Sequence, residues 1–194
     1  AIGTVMLPKV SRMTRMKQMD AVKRHIRLSM ELVMCMVCAM AFGLAAVAVN
    51  FAPLFYGDDF AYSGTLMMPL AFTLLSIGFA NVIRTQWVLP QGRDTIFVHS
   101  VLTGAVINLI ANFVLIPPFG AMGAAAATVL AEFSVPAVQF VYLRKELPYA
   151  QYLKTTGVYC LFGLVMAGAV ALLGHVLPLH GWWKLALQVT GGAA

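Results

Sequence analysis

Long apolar runs without a charged residue constrain this chain more than any other feature of its sequence. Residues 32–49, 65–83 and 96–116 contain no Asp, Glu, Lys or Arg, and 121–143 contains one, Glu132. A helix needs about 20 mostly apolar residues to cross the hydrocarbon core of a bilayer. Only 10% of the 194 residues are charged, against about 25% in soluble proteins. A soluble domain is therefore excluded, and the chain is predicted to be an all-α integral membrane protein.

Proline and glycine residues separate the apolar runs, at positions where a helix is expected to end. The pattern predicts a helical bundle of five complete spans plus a partial sixth. The spans are placed at about 30–50, 65–89, 96–116, 121–143, 155–175 and, for the partial one, 184–194. The first residue is not Met, and both ends stop within apolar sequence. We therefore expect the chain to be part of a longer protein.

Basic residues are distributed unevenly over the connections between these spans. Connections 51–64, 117–120 and 176–183 contain no Lys or Arg, and all but one of the 13 basic residues lie in or beside the alternate connections. Cytoplasmic loops of membrane proteins are enriched in Lys and Arg. The three uncharged or acidic connections are therefore predicted to face outward, and segment 9–27 is predicted to be cytoplasmic.

Segment 9–27 combines seven basic residues with an apolar stripe. Residues at intervals of three and four share one face of a helix, and here they are Met13, Met16, Met19, Val22 and Ile26. Basic amphipathic helices beside a membrane span lie in the interface and bind anionic lipid. We therefore predict a cytoplasmic amphipathic connector whose partner is anionic membrane lipid. Nucleic acid is not expected as a partner, because no Phe, Tyr or Trp interleaves with the basic residues.

Four polar side chains in the third and fourth spans are predicted to form a cation or proton site. Asn108 and Asn112 are four residues apart and share a helix face, as do Thr128 and Glu132. The short connection between the spans places Asn112 level with Thr128, and Asn108 level with Glu132. Their oxygens suit a monovalent hard cation such as Na⁺, and a half-buried carboxylate can instead carry a proton. The alternative is that the Asn and Thr residues only join the two helices.

Two further residues bear on this site. Pro136 has no N–H to bond to the carbonyl four residues back, so it is predicted to release the Glu132 oxygen. Arg84, near the end of the second span, has two interpretations. Its side chain reaches the lipid phosphates by snorkelling, or it faces a cavity and holds an anionic group such as a substrate pyrophosphate.

Enzyme signatures are absent from the sequence. The chain has no phosphate-binding loop, no HExxH motif and no nucleophile elbow. We therefore expect no catalytic residue and no cofactor, other than Na⁺ or H⁺ as a coupling ion.

Four segments of the chain carry a family resemblance. They read GTVMLPKVSRM, NFAPLFYGDDF, ANVIRTQWVLPQGR and IPPFGAMGAAAATVLAEF. In this order and spacing they resemble the polysaccharide (O-antigen or capsule oligosaccharide–lipid) flippases of the multidrug/oligosaccharidyl-lipid/polysaccharide exporter superfamily. The resemblance implies a transporter of about fourteen spans in two lobes. This chain would then be the C-terminal lobe, with an N-terminal lobe as its partner.

The resemblance also implies a function. The whole protein would move an undecaprenyl-diphosphate-linked oligosaccharide across the bacterial plasma (inner) membrane by ion- or proton-coupled alternating access. It places a coupling cation at Asn108 and Asn112, with Thr128 on the next span, and Glu132 is then the only acid. Two alternatives remain. The protein is another exporter of the superfamily, for drugs or a peptidoglycan precursor, or it is a truncated product that transports nothing.

Overall fold

The structure, a computed structural model, describes residues 2–16 and 18–176. These residues form helices joined by short turns, and none of them lies in a strand. A π-helical turn covers Arg84–Val88, and 3₁₀ turns cover Asp58–Phe60 and Leu89–Gln91. The α-helices are α1 (Ile2–Arg15), α2 (Met19–Tyr56), α3 (Ala61–Ala71), α4 (Thr73–Ile83), α5 (Asp94–Leu143) and α6 (Tyr149–Val176).

Within the described part of the chain, four helical stretches are long and apolar enough to cross a membrane. They are Met19–Tyr56, Asp58–Gln91, Asp94–Leu143 and Tyr149–Leu172. The prediction of an all-α membrane protein is confirmed. The predicted partial span at 184–194, and all but the first residue of the predicted outward connection at 176–183, lie outside the described residues.

The 50-residue helix α5 bends sharply at Gly120, which has φ 56° and ψ −131°. A positive φ of this kind favours glycine, because glycine has no Cβ to clash with its own backbone. The bend produces two arms, 94–119 and 121–143, that run antiparallel. They pack closely, since a Cβ on Gly123 would collide with the Leu115 carbonyl, and one on Gly104 would lie 3.1 Å from a methyl group of Val135. Residues at similar distances from the bend therefore lie opposite one another.

The prediction that segment 9–27 forms a single amphipathic helix is wrong. α1 ends at Arg15 and α2 begins at Met19, and the backbone N–H of Gln18 bonds to the carbonyl of Met13 across the break (3.1 Å). In one continuous helix, at about 100° per residue, Val10 would point well away from Val22 and Ile26. The break allows all three to be buried in one core. It also leaves Met16 56% exposed, so the predicted apolar stripe is interrupted.

The hydrophobic core lies at the end of the bundle where the basic connections meet. Each of those connections contributes large side chains that are almost fully buried. They come from α1 and the start of α2, from the π-helical turn, and from the end of α5, the turn that follows it and the start of α6. They include Val10, Ile26, Met30, Trp87, Val88, Leu143, Leu147 and Tyr152. The segments that are basic in sequence are thus brought to one end of the fold, which we call the basic end.

Polar contacts of Trp87, Arg93 and Glu146, which we call the Glu146 clasp, join three segments at the basic end. The indole N–H of Trp87 donates to Glu146 Oε2 (3.0 Å), and Arg93 Nη1 forms an ion pair with the same oxygen (2.6 Å). Glu146 lies in the turn between α5 and α6, and Arg93 directly precedes α5. The Glu146 clasp therefore connects the two ends of α5 to the turn that follows α4.

Replacing Gly163 by alanine is expected to destabilise the full chain by about 1–3 kcal/mol, the usual cost of overpacking. A Cβ at this position in α6 would collide with the ring of Phe42 on α2. That ring is only 8% exposed and packs edge-on against Phe72, with 5.2 Å between centroids, so it has little room to move. Thermal unfolding of the purified protein in detergent measures the loss.

Gly157, in the same helix, provides the matched control. No described residue has an atom within 4 Å of a Cβ built there, so alanine is expected to add only helix propensity, worth about 0.5–1 kcal/mol of stabilisation. Equal unfolding temperatures for the two alanine variants would contradict the close packing of α6 against α2.

Candidate functional site

A cavity of about 670 Å³ lies between α4 and the two arms of α5. Its walls are apolar for most of their area and include Ile77, Val101, Leu109 and Val135. Six polar side chains interrupt these walls. They are Asn81, Arg84, Asn108, Asn112, Glu132 and Gln139. This volume lies within the range of ligand-binding sites in proteins.

Arg84 occupies the end of the cavity nearest the π-helical turn. Its Nη2 donates to Asn81 Oδ1 (2.6 Å), and its guanidinium carbon lies 4.9 Å from the centroid of the Phe97 ring. Its Nε is buried and has no hydrogen-bond partner among the described residues. Of the two interpretations of Arg84 in the sequence, the structure therefore places the guanidinium on the cavity. π-helical turns often mark functional positions in helices.

Glu132 lies half-buried on the opposite wall, on the second arm of α5. Its carboxylate has no hydrogen bond or ion pair with a described residue. Pro136 leaves its main-chain carbonyl without the usual helical donor, as the sequence predicts. That carbonyl is not free, because the hydroxyl of Ser76 on α4 donates a hydrogen bond to it. The bond fastens α4 to the second arm directly behind the carboxylate.

Three of the four predicted coupling residues share the cavity, namely Asn108, Asn112 and Glu132. Asn112 Nδ2 donates to both the side-chain and the main-chain oxygen of Asn108, each at 2.9 Å. Thr128 is not among the lining residues, and its hydroxyl donates to the Ala124 carbonyl (3.0 Å). In this conformation the amides bond to each other, so their oxygens are not gathered around one point.

The cavity presents one guanidinium and one carboxylate on opposing walls. Gln139 is only 1% exposed, and its Oε1 has no hydrogen-bond partner within the described part of the chain. Buried polar groups without partners are costly, and they are typical of sites completed by a ligand or by water. The arrangement can bind an anionic group at Arg84, and it can exchange a cation or proton at Glu132.

Four residues that the structure brings to this site had no role predicted from the sequence. Asn81 could have been predicted, because residues three apart on a helix are neighbours and Asn81 lies three residues before Arg84. Gln139 could also have been predicted, because it lies seven residues after Glu132 and therefore on the same helix face. Phe97 and Ser76 could not have been predicted, because each contacts a residue on a different helical segment. Their positions follow from the packing of α4 against α5.

Comparison with known proteins gives consistent results. The family described as lipid II flippase MurJ matches residues 1–189. A putative O-antigen transporter of Shigella dysenteriae is 23% identical over 122 residues, which are 63% of this chain and 30% of that protein. A probable low-salt glycan biosynthesis flippase, Agl15, of Haloferax volcanii is 23% identical over 171 residues, which are 88% of this chain and 36% of that protein.

A solved structure is also similar. It is the lipid II flippase MurJ in an inward closed conformation, and it matches with a TM-score of 0.80 and 18% sequence identity. The match covers 100% of this chain and 40% of that structure, and at this identity it concerns the fold. The chain spans about a third of the length of the curated relatives that it matches.

Proposed function

This chain belongs to the family of the lipid II flippase MurJ, and from that membership we propose that it forms the C-terminal lobe of a transporter for a lipid-linked saccharide. The transporter moves a saccharide carried on a polyprenyl diphosphate across the plasma membrane, by alternating access between this lobe and an N-terminal lobe. The lipid-linked saccharide and that lobe are its partners. The fold, the family and the names of the relatives support this proposal.

The observation that carries the proposal is the position of Arg84. It is the one cationic side chain among the described residues that line the cavity. Asn81 and the Phe97 ring hold its guanidinium in place. Arginine binds phosphate oxygens through several fixed N–H groups. We propose that Arg84 binds the diphosphate that links the saccharide to its lipid.

The proposal includes coupling to Na⁺ or H⁺ at Glu132, with Asn108, Asn112 and Thr128 as neutral ligands. The shared cavity of the first three residues supports it. Because Asn108 and Asn112 now bond to each other and Thr128 bonds within its helix, binding a cation requires these side chains to rotate. The carboxylate alone suffices to carry a proton.

The saccharide is either an oligosaccharide unit for surface polysaccharide, the class that the curated relatives suggest, or a peptidoglycan precursor, the class that the family description suggests. The complete reading frame should be expressed in one bacterial strain that lacks its O-antigen flippase and in another that is depleted of its peptidoglycan-precursor flippase. We expect rescue of one strain and no rescue by the Arg84→Ala variant. Rescue of neither strain by the wild-type protein would contradict the proposal.

The membrane orientation is also part of the proposal. We expect the basic end to be cytoplasmic, with segment 9–27 against anionic lipid, because Lys and Arg accumulate on that side. Gln18 and Asp58 are exposed and belong to opposite kinds of connection. With Cys35, Cys38 and Cys160 replaced, an impermeant thiol reagent should label Asp58→Cys in intact cells and leave Gln18→Cys unlabelled. The reverse pattern would invert the topology.

A further inference from the structure

A second cavity lies on the other side of α4 and differs in chemistry from the first. It is an open groove of about 410 Å³ between α4, the second arm of α5 and α6. The surface that lines it is almost entirely apolar, with large contributions from Phe79, Phe133, Phe140 and Leu153. Ser76, which donates to the Glu132 carbonyl, lies at the seam between the groove and the polar cavity. We propose that this groove binds one acyl chain of an anionic phospholipid from the leaflet at the basic end.

The length of the groove fits one leaflet. On α6 its lining residues extend from Tyr149 to Cys160, which at 1.5 Å per residue is roughly 16 Å along the helix. Half of a hydrocarbon core of about 30 Å is a similar length. Tyr149 lies at the first residue of α6, so the groove starts at the basic end and stops near the middle of the membrane. A chain from one leaflet fits this length.

The end of the groove carries the groups that a phospholipid head requires. Arg144 and Lys145, in the turn that leads from α5 to α6, are exposed, and neither forms an ion pair with a described residue. The acid of this turn, Glu146, is already engaged by Trp87 and Arg93. The turn therefore presents a net positive charge, which attracts the phosphate of an anionic lipid.

A polar group is also available for the ester region of the lipid. Tyr149 lines the groove, and its hydroxyl is buried without a hydrogen-bond partner in the described part of the chain. An unpartnered buried hydroxyl is costly. Because the hydroxyl has no accessible surface in this structure, the Tyr149 side chain must rotate before a lipid ester carbonyl, which follows the phosphate and precedes the acyl chain, can accept its hydrogen bond.

Native mass spectrometry of the full-length protein tests the proposal, with dioleoylphosphatidylglycerol and dioleoylphosphatidylcholine as probes. We expect one tightly retained phosphatidylglycerol. Ala137→Trp, which fills the groove from the second arm of α5, should weaken its retention about tenfold, equivalent to about 1.4 kcal/mol. Val158→Trp is the control, because Val158 is exposed and lies half a turn away from the groove-lining residues Thr156 and Cys160 on α6.

Two gentler variants keep the test informative if the tryptophan disturbs folding. Tyr149→Phe removes only the hydroxyl, and the pair Arg144→Gln and Lys145→Gln removes only charge. Each should weaken phosphatidylglycerol retention, and the charge pair should abolish the preference over phosphatidylcholine. Equal retention of both lipids by the wild-type protein would overturn the proposal. Unchanged retention in Ala137→Trp, or displacement of the lipid by a polyprenyl diphosphate, would overturn it as well.

Discussion

Gradient-driven transport by the full protein is expected to fall about tenfold or more when Glu132 is replaced by glutamine, a loss of about 1.4 kcal/mol or more of coupling free energy. Glutamine keeps the volume of the side chain and removes only its titratable charge. The Glu132 carboxylate lies on the cavity wall without a hydrogen bond or ion pair to a described residue. Its main-chain carbonyl remains available to Ser76 in the variant, so the packing of α4 against α5 should persist.

The measurement is uptake of a fluorescent lipid-linked saccharide into proteoliposomes under an imposed Na⁺ or H⁺ gradient. Glu31→Gln provides the control, because Glu31 pairs with Arg27 one turn away on α2 and does not line the cavity. Asn112→Ala should weaken the coupling less, since it deletes one neutral group. Full gradient-driven transport by Glu132→Gln would end the coupling hypothesis and leave Glu132 as a packing residue, whose neutralisation is often stabilising.

Binding of the lipid-linked diphosphate should weaken roughly 10- to 150-fold when Arg84 is replaced by alanine. Hydrogen bonds to charged groups are worth about 1.5–3 kcal/mol each, and tenfold in affinity corresponds to about 1.4 kcal/mol. Arg84→Lys should recover only part of this loss. Lysine keeps the charge but loses the planar fork and the stacking on Phe97.

Affinity for a soluble short-chain polyprenyl diphosphate, measured by calorimetry on the full protein in detergent, reports this effect. The Asn81→Ala variant should lose less affinity than Arg84→Ala, because it frees the guanidinium without removing it. Arg24→Ala, an exposed basic residue of α2, is the control. Equal affinities for the wild-type protein and Arg84→Ala would place the diphosphate elsewhere.

The sequence was sufficient to predict the all-α membrane fold. Uncharged runs of about 20 residues leave a chain few alternatives, since each backbone polar group in the bilayer needs an internal partner. The hairpin of α5 was also predictable, because prolines and Gly120 lie between two such runs. The effect of Pro136 on the Glu132 carbonyl followed from covalent structure alone. Its partner Ser76 did not, because it lies 56 residues away on another helix.

Other parts of the site depend on helix rotation, which the sequence does not specify. Arg84 lies at the start of the π-helical turn, whose extra residue per turn changes the direction of the following side chains. The sequence therefore could not decide whether the Arg84 side chain points to the membrane surface or to the cavity. The break in the connector between α1 and α2 also depends on helix direction. Val10, Val22 and Ile26 can all be buried in one core only if they lie on two separate helices.

The spacing of Asn108 and Asn112 predicts their shared helix face but not the partners of their amides. Residues four apart share a helix face, which correctly placed Asn108 and Asn112 on one wall. The same spacing also brings the two amides within hydrogen-bonding distance of each other, and in the structure they bond. The coupling role of these residues stays a prediction, and the variants above test it.

The Glu146 clasp makes α5 a closed ring. Arg93 and Glu146 are 53 residues apart in the chain, and their ion pair closes one end of the two arms while the bend at Gly120 closes the other. α4 packs against this ring, with the Ser76 hydroxyl bonded to the Glu132 carbonyl. The π-helical turn that follows α4 contacts the ring through Arg84 against Phe97 and through Trp87 bonded to Glu146. Opening of the cavity by movement of α4 is therefore expected to break the hydrogen bond from Ser76 to the Glu132 carbonyl, while the bond from Trp87 to Glu146 persists.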